Sequence, residues 1–202
     1  MLFRSAAASG ASYLHFSGHG HYAPEDPLQS GLLLADDHGM TAAEVLSTFD
    51  LSRSRLVTLA TCESGLTDTE ALAAEYIGLP TAFLAAGAPA VLSTLWQVDD
   101  AAALLIMDRF YTGHRKYGWS AVKALAAAQC WLRDATNAQV SDAFNDLKAR
   151  AHPPWSGTSE VAQSACELHG TQPPWDCPFE QPYYWAPFVL MGADVPGEVT
   201  LT

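Results

Sequence analysis

Basic residues are scarce in this chain. Ten Lys and Arg stand against 22 Asp and Glu in 202 residues, a formal net charge of −12 with histidine neutral. Binding a phosphate backbone takes clustered cations that displace counterions, so nucleic acid is excluded as the natural partner. The same deficit disfavours docking on an anionic membrane surface. Long apolar runs are also missing: nothing reaches the length of a membrane span, and the opening MLFRSAAASGASYLHF holds no signal-peptide core. Cysteine is limited to positions 62, 130, 166 and 177, too few and too scattered for a disulfide framework. Charged residues are only 16% of the chain and hydrophobic ones 49%, which excludes a disordered segment. No internal repeat or low-complexity tract is present. The expectation is one acidic, cytoplasmic domain over 1–202 in a reducing compartment, long enough to bury a full core.

Four short segments rich in β-branched and aromatic residues read as buried strands: Tyr13–Ser17, Arg55–Thr61, Ala90–Val98 and Tyr183–Met191. Helical stretches separate them. Thr41 with Glu44 three residues on predicts a capping box. Pro80 predicts a first helical position, with Gly87 as the stop. Asp99 or Asp100 can cap AAALLIMDRFYTGH, and Ser120 opens AVKALAAAQCWLRDA, read as core-facing with Cys130 inside it. Strands alternating with helices predict a mostly parallel sheet covered on both faces. Residues 137–182 collect HPPW, TQPPW and DCPFEQP without sustained periodicity, and read as an insertion, mostly loop, with a short helix near Val140–Ala149. Four strands are few for such a sheet, so the chain is expected to be N-terminally incomplete.

In a parallel sheet the carboxyl ends of the strands open on one edge, where ligands bind. The first strand ends in SGHGH and the second in TCESG, which predicts that His19 and Cys62 meet. Imidazole is the group best suited to draw a thiol into its thiolate form at neutral pH. A lone cysteine at a strand end is ordinarily packing; the pair at neighbouring ends favours chemistry. The backbone N–H groups of Gly20 and Cys62 are candidates for holding an oxyanion, with Ser64 and Gly65 turning the chain away in front of the thiol. A rival of another class uses the same segment. His15, His19 and His21 would share one face of an extended strand, and Asp36, Asp37 and His38 could complete a metal site. Against it, Gly18 and Gly20 should break the strand, and His15 reads as a buried strand residue. Cys166, His169 and Cys177 form at most a partial zinc pattern.

The segments YLHFSGHG, LVTLATCESG, FLAAGAPAVLSTLWQVDD, MDRFY, ALAAAQCWLRD and PYYWAPFVLMG, in this order from Tyr13 to Gly192, closely resemble CHAT domains. These are bacterial caspase-like cysteine peptidases, related to separase and often associated with tetratricopeptide repeats. The resemblance implies a three-layer α/β/α caspase-like fold, here lacking its first two strands. It puts the general base on His19, the nucleophile on Cys62 and the oxyanion hole on the backbone of Gly20 and Cys62.

The function expected is therefore a cysteine endopeptidase acting on a protein or peptide substrate, without cofactor or metal, in a regulated signalling or defence role. Alternatives are a catalytically silent scaffold of the same fold and a metal hydrolase on His15, His19 and His21. Asp99 is the candidate substrate-pocket residue, because Asp100 directly precedes AAALLIM and reads as the better helix cap.

Overall fold

The computed structural model describes residues 2–21, 23, 25–34, 39–62, 78–150 and 156–198. They form an α/β chain in two compact units, one of 1–97 with 187–195 and one of 98–186 with 196–202.

The first unit is built on a six-stranded mixed sheet. Its strands are β1 (Tyr13–His21), β2 (Gly31–Leu32), β3 (Met40–Thr41), β4 (Leu56–Cys62), β5 (Ala90–Thr94) and β6 (Phe188–Gly192), in the spatial order β3-β2-β1-β4-β5-β6. Strands β1, β4 and β5 run parallel at the centre, while β2, β3 and β6 pair antiparallel. Alternate residues of a strand share a face, and Leu14, Phe16, Val57, Leu59 and Val91 use theirs to build a core. Helices α1 (Leu2–Ala8), α2 (Ala42–Thr48) and α3 (helical at 78–85) supply Ala7, Val45 and Phe83 to it. Phe3 meets Phe16 and Phe83 edge-on, at 5.6 and 6.3 Å between ring centroids, and so ties α1 to β1 and α3.

Several expectations are corrected here. Strand β1 runs unbroken through Gly18 and Gly20 to His21. Gly18 makes room rather than a break, since a Cβ there would stand 3.1 Å from Phe16 Cζ. His15 falls at an exposed position of the strand, yet enough protein surrounds its ring for burial to hold the imidazole below its usual value. Residues 78 and 79 are already helical, so Pro80 does not open α3, although Gly87 does follow its end with φ +103°. Thr41 caps α2, its hydroxyl accepting from the Glu44 N–H at 3.1 Å, but the Glu44 carboxylate turns to Arg4 at 2.9 Å instead of closing a capping box. Tyr183 lies in a helical turn, α8 (Pro182–Trp185), because Pro182 sets its first position, and the strand begins only at Phe188.

The second unit is helical: α4 (Asp100–Tyr111), a π-helical turn over Thr112–Lys116, α5 (Ala121–Asp134), α6 (Asn137–Arg150), α7 (Ser156–Gly170) and α8. The loop expected over most of 137–182 is corrected to two long helices, the first of which contains the short helix expected near Val140–Ala149. Their buried stripes, Val140 and Phe144 on α6 and Ala162, Ala165 and His169 on α7, repeat every three to four residues. Alanine and histidine fill positions where large apolar residues would have made the period visible. HPPW lies outside the described residues. Helix α5 buries Ala121, Ala124, Leu125, Ala128 and Leu132 and leaves Cys130 exposed, against its reading as core.

Candidate active site

Strands β1 and β4 are in register from Tyr13 opposite Leu56 to His19 opposite Cys62, the last rung of the ladder. Neighbouring strands lie about 4.8 Å apart, so the fold brings together two residues widely separated in sequence. His19 is exposed. Its carbonyl accepts from the Leu33 N–H at 2.9 Å, just past β2, which holds this end of β1 from its other side. Backbone groups alternate in direction along a strand, so those of Gly18 and Gly20 face β4, where Cys62 is the final residue. The two-residue strands β2 and β3 that brace His19 escaped the sequence reading: GLLL carries no alternation, and pairs this short have no period to detect. Glu63, Ser64 and Gly65 lie outside the described residues.

The continuity of β1 puts His15, His19 and His21 at alternate positions of one face, all exposed. His15 and His19 are nevertheless about 13 Å apart along an extended strand, too far to share one ion. Asp36, Asp37 and His38 lie outside the described residues. Among the described residues no three His, Cys, Asp or Glu come together as a metal site. Cys166, His169 and Cys177 each have separate partners: the Asn145 side-chain oxygen at 3.2 Å, the Asn137 side-chain oxygen at 2.9 Å and the Asp134 carbonyl at 3.6 Å.

Asp99 is the cap of α4. Its Oδ1 accepts from the Ala102 N–H at 3.0 Å, and Asp100 is the first helical residue. The expectation that Asp100 caps the helix and leaves Asp99 free is thus corrected, because the bond to the third N–H of the helix requires the residue just before the first turn.

A family model of the CHAT domain matches residues 2–193. The chain belongs to the CHAT domain family. CHAT domains are a caspase-like cysteine peptidase family, in agreement with the α/β architecture and the parallel centre of the sheet. Among curated proteins none matches this CHAT domain. No described helix is long and apolar enough to cross a membrane.

Proposed function

We propose that this CHAT domain is a cysteine endopeptidase in which Cys62 is the nucleophile and His19 the base. The observation that supports it is the registry of the two residues on adjacent parallel strands, at their carboxyl ends. In this reading the Cys62 sulfur bonds to the scissile carbonyl carbon while His19 takes the thiol proton. The tetrahedral oxyanion is held by the N–H groups of Gly20 and Cys62. Collapse breaks the C–N bond, and His19 returns the proton to the leaving amine. Water then attacks the thioester, giving a proton to His19, and the acid is released as the thiol re-forms. This chemistry needs no cofactor or metal. Cys62 stands in the last rung of the β1–β4 ladder and Gly20 directly follows it, so serving an oxyanion requires this end of the ladder to open when substrate binds. The silent-scaffold reading draws its support from the same rung, which as built is closed.

The setting that accompanies the peptidase reading is a cytoplasmic bacterial signalling or defence system, with tetratricopeptide repeats as the regulatory partner. Cleavage is tested by incubating the chain with a mixture of unfolded proteins and mapping new termini by mass spectrometry. New termini made by the wild type and absent with Cys62→Ala support the peptidase. Termini made equally well by Cys62→Ala overturn it.

A further inference from the structure

The helical unit contains a cavity of about 490 Å³, within the range of small-ligand sites. One wall is a continuous run of rings. His169 and Phe179 lie 5.3 Å apart and Phe179 and Tyr184 5.2 Å apart between centroids, with Phe179 only 4% exposed. Asp99, Asp100 and Glu160 also line it, and all three are exposed. No lysine or arginine does.

His169 makes this more than a group of acids. The residue is only 8% exposed, and among the described residues one ring nitrogen, Nδ1, has a hydrogen-bond partner. The Asn137 Nδ2 donates to the Pro173 carbonyl at 2.9 Å, so the oxygen of that amide must be the atom 2.9 Å from His169 Nδ1. An amide oxygen only accepts, so the hydrogen of the neutral ring sits on Nδ1 and Nε2 keeps its lone pair. Asn137 is not part of the cavity wall, which leaves the Nε2 edge for the cavity. Beside the hydroxyls of Ser164 and Tyr184, the polar side-chain groups there are acceptors, three carboxylates and one imidazole nitrogen. A lining richer in acceptors than in donors, with no cation of its own, suits a ligand that brings N–H groups.

We propose that this cavity binds an alkylammonium group, its methylenes against Phe179 and Tyr184 and its N–H donors on His169 Nε2 and the carboxylates. Rings bordered by carboxylates suit such a group, which combines an apolar stem with a charged head. A lysine side chain of a polypeptide and a free polyamine share this chemistry. The site stands whether or not Cys62 cleaves anything, since all its residues lie in the helical unit.

The test is calorimetric titration of the full chain at low salt with spermidine, with Nα-acetyl-lysine amide and with the uncharged Nα-acetyl-norleucine amide. A nitrogen NMR signal from His169 Nε2 is followed in parallel. At least one ammonium compound binds and moves that signal, and the norleucine amide does not. Glu160→Gln combined with Asp100→Asn, both exposed and outside the helix cap, weakens binding roughly 3- to 10-fold. Binding of spermidine alone assigns a free polyamine; binding of the lysine amide, alone or with spermidine, assigns a basic side chain. The proposal is overturned if neither ammonium compound binds at millimolar concentration, if norleucine amide binds equally well, or if the double variant binds unchanged.

Discussion

His19 stands directly opposite Cys62 on the last rung between β1 and β4. The relationship rests on the backbone of two parallel strands whose other faces are fixed by Leu14, Phe16, Val57 and Leu59 in the core. A one-residue slip would send those four side chains to the wrong face. The core that holds the sheet together therefore also sets which residue meets Cys62.

The edge that braces this rung is open to test at Gly31. A Cβ on Gly31 would run into the Met40 carbonyl oxygen, with Thr41 Cα only 2.9 Å away. Both are backbone and cannot rotate aside. Gly31→Ala is expected to cost about 1–3 kcal/mol in urea unfolding. It should also reduce whatever activity depends on His19, whose carbonyl is bonded just beyond β2. Unchanged stability would show that the β2–β3 pair contributes nothing to the fold.

Asp99 and Asp100 are adjacent acids with different work. Because Asp99 caps α4 through the Ala102 N–H, Asp99→Ala should destabilise the chain by about 1 kcal/mol. Asp100→Ala should cost less than half of that. Comparing the two in denaturant titrations checks the assignment, and the reverse order would contradict it.

What the sequence made legible was the set of elements with strong local signals. Apolar runs placed β1, β4 and β5, and Ser120 and Thr41 each cap the helix expected after it. The meeting of His19 and Cys62 followed from strand polarity alone. Illegible were features decided by tertiary contact. Gly18 looked like a breaker because the ring of Phe16 that fills its place is invisible in sequence. Helix α6 read only as a short helix near Val140–Ala149 and α7 as loop, because Asn137, Ala162 and His169 hold their buried positions by packing and hydrogen bonds rather than by large apolar side chains. The choice between Asp99 and Asp100 turned on a single hydrogen bond.

His169 gives the helical unit a pH dependence. Burial pushes its imidazole below the ordinary value of 6.5, against a smaller upward pull from Asp99. The folded state thus favours the neutral ring, and the unfolded chain takes up the proton first as pH falls. Its contribution is whole above about pH 6.5 and is lost as pH drops through and below that value. Thermal melts between pH 5 and 8 should show this decline in the wild type and a flatter profile in His169→Gln. Parallel profiles would remove His169 as the cause.

The measurement that bears most directly on the central claim is the rate at which Cys62 itself is alkylated near neutral pH. Cys130 is exposed, so labelling must be followed site by site through peptide mass mapping, with Cys130 as the internal control. If His19 activates Cys62, His19→Ala slows alkylation of Cys62 by roughly tenfold or more while Cys130 reacts as before. Equal rates at Cys62 with and without the imidazole would contradict the account, whatever the chain is found to cleave.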